Sequence, residues 1–250
     1  MAKKEIVFAF LLCIVTFGVV IFTKDKDEEK LVIDTSYEIA TNGDNQEVVV
    51  ELSPKEVIEN LREEYNNKDI KAELRISNTT FKTPIPQANN NQYYYRRLPN
   101  KSSSIIGSTY LDYRTKIDES RVLIIYGHNS SKYDMPFKVL ENYYDEDYYD
   151  KHKYIELVTP NGIKTYEIFS VFVETSDFSY YSDVEFDSNK EFYNHIKKLQ
   201  GKSFYDTEVS LNEDDNILIL QACSTHKKYQ KYKNKFVLII SREVKDNEEI

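Results

Sequence analysis

The chain has 250 residues, 30% of them charged, and a formal net charge of -9, which suits one globular domain with appendages. That acidic balance argues against a nucleic-acid partner, because phosphate binding needs clustered Lys and Arg. Tyr is used 21 times, Trp never, and Gly and Pro six times each; the Tyr clusters, such as Tyr93-Tyr94-Tyr95, read as strand residues.

In chain order, Met1–Glu5 is a short basic tail, expected in the cytoplasm. Ile6 to Phe22 follows without a single charge. At 1.5 Å per residue that run just crosses a hydrocarbon core of about 30 Å. It ends in Phe22-Thr23-Lys24-Asp25, without a small-residue cleavage pattern, so it reads as an uncleaved membrane anchor over 6–22 rather than a signal peptide. Residues 23–52 read as a polar stalk with a turn-like centre at Thr41-Asn42-Gly43-Asp44-Asn45. The remainder, 53–250, reads as one extracellular domain.

That domain opens on a helix over 53–66. Ser53 is its N-cap, Pro54 takes the first helical position, and Val57, Ile58, Leu61 and Tyr65 recur at helical spacing. From about 70 to 244 the pattern is strand-rich. Apolar or alternating runs fall at 72–76, 104–111, 121–126, 154–159, 164–174, 216–222 and 235–244, with a hairpin signal at Thr159-Pro160-Asn161-Gly162. Helices are expected from Met135 to about Tyr144 and from Asn189 to Leu199, the latter between Asp187-Ser188 and Gly201. Many short strands with few helices predict a mostly β fold, a closed or nearly closed barrel. There are no repeats, no Gly-rich phosphate loop and no metal-ligand cluster, so no cofactor or metal is expected.

Cys223 is the only cysteine outside the apolar N-terminal run, where Cys13 lies. A lone extracellular thiol is a buried small hydrophobe, an intermolecular link or a nucleophile. It stands at the end of the apolar run Ile217–Ala222, where a strand can hand a side chain to a cleft. A thiol needs help to react near neutral pH, since its ordinary pKa is about 8.5. Of the four histidines, His152 and His195 read as solvated, and His226 sits in a lysine-rich loop with nothing to hold its ring. His128 ends the strand Val122–Tyr126 after Gly127, which permits a close approach.

These residues carry a resemblance. Thr83-Pro84-Ile85-Pro86-Gln87, Gly107–Asp112, Ile124–Asn129, Ser203–Thr207 and Asp215–Cys223 match, in order, blocks of the class B sortases. The helix at Asn189–Leu199 before the cysteine strand is a class B trait, and the matches cover roughly Leu74 to Val244. The resemblance implies a sortase-like closed β-barrel with an N-terminal helix and an inserted helix before the cysteine strand. It implies a cysteine transpeptidase that cuts a C-terminal sorting signal on secreted proteins through a thioester and joins them to a peptidoglycan-precursor amine. Cys223 would be the nucleophile and His128 the acid and base. The family's third catalytic residue, an arginine at the start of the last strand, falls on Lys235; Arg242 lies seven residues further on, on the wrong face. The segment before the cysteine also departs, with Ala222 in place of the usual threonine. Two alternatives are a cysteine hydrolase that releases a free acid and an inactive sortase-like binding module.

Overall fold

The computed structural model describes residues 19–22, 31–34, 37–41, 47–176 and 180–245. The chain divides into residues 1–53 and residues 54–250. In the first unit β1 (Val19–Phe22) pairs antiparallel with β2 (Leu31–Asp34), and β3 (Tyr37–Thr41) with β4 (Glu47–Glu51). Strands therefore occupy much of the stretch that reads as a stalk. Residues 6–18 of the expected anchor lie outside the described residues, and its last four residues form β1. Among the described residues no helix is long and apolar enough to cross a membrane.

The second unit opens with α1 (Pro54–Glu64), which buries Val57, Ile58 and Leu61. An eight-stranded sheet follows: β5 (Ile70–Ile76), β6 (Lys82–Pro86), β7 (Tyr110–Leu111), β8 (Val122–Tyr126), β9 (Tyr154–Thr159), β10 (Gly162–Glu174), β11 (Ile217–Cys223) and β12 (Phe236–Glu243). The strand order is β6-β5-β9-β10-β12-β11-β8-β7. The two end strands have no ladder between them but meet through side chains. Thr83 and Thr109 hydroxyls are 2.9 Å apart, and Thr109 Oγ1 donates to the Pro84 carbonyl at 3.1 Å. The barrel is thus nearly closed.

Period-two alternation divides β8, β11 and β12 between two cores. Leu123, Ile125, Leu218, Leu220, Ala222, Val237 and Ile239 face the barrel interior with Phe137, Leu140 and Tyr143. Val122, Ile124, Ile217, Ile219, Leu238 and Ile240 face outward, under α3 (Asn189–Gln200). Both faces are buried, so these strands read as unbroken apolar runs. Phe192, Ile196 and Leu199 of α3 are buried at helical spacing, each contributing about 1.5–3 kcal/mol of burial. Ser188 caps α3 by accepting from the Glu191 N–H at 3.1 Å.

Several local expectations change. Only Tyr110–Leu111 of the expected 104–111 strand pairs, because Gly107 adopts φ +64 and breaks the extension. Pro136–Tyr144 is a 3-10 rather than an α-helix. The Tyr93–Tyr95 cluster is not a strand: Tyr94–Arg96 is a 3-10 turn, and buried Tyr94 donates its hydroxyl to Asp69 at 2.7 Å. Two elements had no sequence expectation, β6 and the short α2 (Glu146–Lys151), which Asp145 caps.

Candidate active site

β8 and β11 run parallel, with Tyr126 opposite Gln221, and the Gly127 N–H donates to the Gln221 carbonyl at 3.0 Å. Two residues further along this register His128 comes opposite Cys223, on strands about 4.8 Å apart. Both side chains leave on the outward face, beyond the end of the α3-covered core. They line one cavity of about 140 Å³ with Tyr95, Tyr110, Tyr126 and Phe236. Gly127 serves a close approach, as expected: a Cβ there would stand 2.5 Å from the Phe137 ring. A larger, open depression of about 700 Å³ at Ser203–Val209 is lined by neither cysteine nor histidine.

The ring of His128 is fixed. Its Nε2 lies 2.7 Å from the Tyr95 carbonyl oxygen, and the Tyr95 ring meets it edge-on with centroids 4.4 Å apart. A carbonyl only accepts, so Nε2 carries the proton and Nδ1 is the nitrogen left to take up or release one. The peptide after Cys223 is held on both sides. Asn129 Nδ2 donates to the Cys223 carbonyl at 3.0 Å, and the Ser224 N–H donates to the Lys235 carbonyl at 2.7 Å. The loop that follows is clamped by Glu141, which accepts from the Thr225 N–H at 2.5 Å and the Thr225 hydroxyl at 2.6 Å. Tyr144 shares a 2.7 Å hydrogen bond with Ser224. The cavity wall is braced by buried Asp112, which accepts from the Tyr126 hydroxyl at 2.8 Å and twice from the Arg114 side chain. Burial pushes that carboxyl up, but the Arg114 donors and Tyr126 outweigh it and hold its pKa below the usual value.

Cys223 is exposed and unpaired by any disulfide. Its thiol pKa is raised above the ordinary value: desolvation pushes it up, and the Lys235 ammonium pulls back less strongly. The Lys235 side chain is outside the cavity lining, and its Nζ donates to the Tyr232 carbonyl at 3.1 Å. Arg242 is at the far end of β12, opposite Ile217, and donates to Glu167 at 2.8 Å. The other histidines need correction. His152 is half-buried, with Nδ1 3.1 Å from the Ser77 carbonyl and its ring against Tyr148. His195 is half-buried against Phe186, and burial lowers its pKa. His226 is held after all: its Nδ1 accepts from the Lys228 N–H at 3.2 Å, and its ring meets Tyr144. Among the described residues no cluster of His, Cys, Asp or Glu is arranged to hold a metal.

The sortase domain family model matches residues 74–243. The chain belongs to the sortase family. Sortase B of Listeria monocytogenes is 34% identical over 168 residues, 66% of this chain and 67% of that protein. Sortase B of Staphylococcus aureus is 27% identical over 158 residues, 63% and 64% of the two chains. The solved Staphylococcus aureus sortase B–substrate complex superposes with a TM-score of 0.67 at 25% identity, covering 77% of this chain and 86% of that one. This sortase is of class B, and it is a cysteine transpeptidase that attaches proteins to the cell wall.

Sequence reasoning found the cysteine and histidine strands of this sortase but missed four supporting residues: Tyr95, Asn129, Glu141 and Tyr144. Asn129 stands directly after His128, so the motif itself was the available signal. Tyr95 acts through its backbone carbonyl, which no side-chain pattern reveals.

Proposed function

We propose that Cys223 is the nucleophile of this sortase, His128 its acid and base, and Lys235 the cation that stabilises the oxyanion. The observation that carries this reading is the register of β8 and β11, which brings Cys223 and His128 to one cavity. Proton transfer from Cys223 to His128 gives a thiolate and an imidazolium. The thiolate attacks the scissile carbonyl of a C-terminal sorting signal on a secreted protein. His128 then protonates the departing amine and the thioester remains. An incoming amine, supplied by a peptidoglycan precursor, attacks the thioester and gives its proton back to His128, so the thiolate leaves as the new amide forms. Because Nε2–H is held by Tyr95, Nδ1 carries the transferred proton.

The support for Lys235 is its charge next to the cysteine strand. Lys235 precedes the strand residue paired with Cys223, and its charge already favours the thiolate. Reaching an oxyanion requires Nζ to swing away from the Tyr232 carbonyl. A Lys supplies charge without the planar two-pronged donor of an arginine. The pairing of Arg242 with Glu167, at the other end of the strand, argues against it as a substitute.

Sortases work at the cell surface, and we place this one there through a single membrane-crossing segment over 6–22, with residues 23–52 as the stalk and 53–250 outside. The uncharged run Ile6–Phe22 is the support for that anchor. The test of the chemistry is incubation of the full chain with sorting peptides, with and without an added amine. A thioester adduct on Cys223, resolved by the amine into a new amide, is expected. Release of free acid alone, unaffected by amine, would contradict transpeptidation at this site.

A further inference from the structure

The loop between the cysteine strand and β12, residues 224–235, contains Lys227, Lys228, Lys231, Lys233 and Lys235 and no acidic residue. This concentration of positive charge runs against a chain that carries -9 overall. Lys227, Lys228, Lys231 and Lys233 are exposed. Among the described residues none of the five lysines is in an ion pair. The ammonium groups of Lys228 and Lys231 lie 5.5 Å and 5.1 Å from the rings of Tyr229 and Tyr232. The carboxylate hydrogen-bonded to this loop, Glu141, is engaged at its root by Thr225.

The opposite rim has the same sign. Arg96 is exposed, sits 5.7 Å from the ring of cavity-lining Tyr95, and is in no ion pair among the described residues. Cations therefore stand on the loop that leaves Cys223 and on the turn that carries Tyr95, two residues that line the cavity. At physiological ionic strength such charges act over about 8 Å.

We propose that the lysine loop and Arg96 select peptide substrates that carry acidic residues beside the scissile bond. The proposal rests on Cys223 being the nucleophile. A peptide is favoured over other anions because the loop leaves directly from Cys223, and the free thiol meets the peptide before any acceptor.

The experiment uses the full chain and reads two things. First, Cys223 is alkylated with anionic iodoacetate and with neutral iodoacetamide. The ratio of the two rates, relative to free cysteine, is expected to favour iodoacetate about tenfold at about 0.05 M salt and to fall towards one at about 0.5 M. Second, acyl-enzyme formation without acceptor is compared for one sorting core flanked by Asp-Glu-Asp or by Asn-Gln-Asn. The acidic peptide should acylate about tenfold faster at low salt, through a lower KM, with the preference lost at high salt. Changing Lys227, Lys228, Lys231, Lys233 and Arg96 together to Gln should remove both effects, and changing the four lysines to Glu should invert the peptide preference.

A rate ratio equal to that of free cysteine, or equal acylation of the two peptides, would overturn the proposal. So would a Gln variant that keeps the peptide preference. The nucleophile reading fails separately, if iodoacetamide modification of Cys223 leaves acylation intact.

Discussion

Gly107→Ala attacks the hold on His128 without touching a catalytic side chain. Gly107 has φ +64, where a non-glycine residue costs about 1–2 kcal/mol. An added Cβ would also stand 2.5 Å from the Tyr95 carbonyl oxygen and 2.8 Å from His128 Cδ2. Neither neighbour is the loose end of a flexible chain: the first is backbone of a 3-10 turn, the second a ring that the same carbonyl holds. Crowding of this kind costs about 1–3 kcal/mol more, so the total is about 2–5 kcal/mol, or about 4–20 °C in Tm for a domain of this size. The two atoms that must move apart are the two that fix His128, so turnover should fall by about 100-fold or more in the folded protein. Gly162→Ala supplies the control. Gly162 has φ +146, but a Cβ added there would meet nothing within 4 Å, so this variant should lose stability and keep turnover. Thermal unfolding and acyl-enzyme formation, both measured below Tm, separate the effects. A Gly107→Ala enzyme with lowered Tm and full turnover would refute the claim that Tyr95 positions His128.

Lys235→Ala should lower transpeptidation far more than Arg242→Ala, by about 10–100-fold against little change, whereas Arg242→Ala should cost stability through unpaired Glu167; the reverse ranking in turnover would contradict the assignment. Because the Cys223 thiol is raised, its alkylation by iodoacetamide should climb with pH and reach half its plateau above the ordinary thiol value of about 8.5. Lys235→Gln should push that midpoint higher still, and a midpoint well below pH 8 in the wild type would contradict the electrostatics of the resting site. Glu141→Ala removes two short hydrogen bonds to Thr225 and should loosen the loop after Cys223, lowering kcat/KM by about tenfold while Tm falls by only a few degrees. Equal kcat/KM in that variant would show that the clamp does not position the site.

The parts of this fold that were legible are those in which side-chain chemistry alone decides. Val122–Tyr126 and Ile217–Cys223 announce themselves as strands because both faces are buried, one inside the barrel and one under α3. Thr159 to Gly162 announces a hairpin, and β9 and β10 pair there as expected. The parts that were not legible depend on backbone geometry or tertiary cover. Pro84 and Pro86 lie in β6, where the sequence argues against a strand; at a sheet end the missing N–H groups are tolerated. The run around Gly107 alternates like a strand, yet the chain turns there so that the Tyr95 carbonyl can reach His128. At the site, Cys223 and His128 were visible as strand ends, but their supports were not. Tyr95 contributes a carbonyl, and Glu141 reaches Thr225 from 84 residues away in sequence. The solvated reading of His152 and His195 failed for the same reason, since Tyr148 and Phe186 cover them only in the folded protein.

The central claim is that Cys223 forms the thioester with His128 as its proton carrier. Intact-mass measurement of the full chain with a sorting peptide tests it most directly. The account predicts an acyl adduct that maps to Cys223, is absent in Cys223→Ala, and is slowed by orders of magnitude in His128→Ala while both variants unfold at the wild-type temperature. An adduct that persists in Cys223→Ala, or undiminished acylation in His128→Ala, would contradict it.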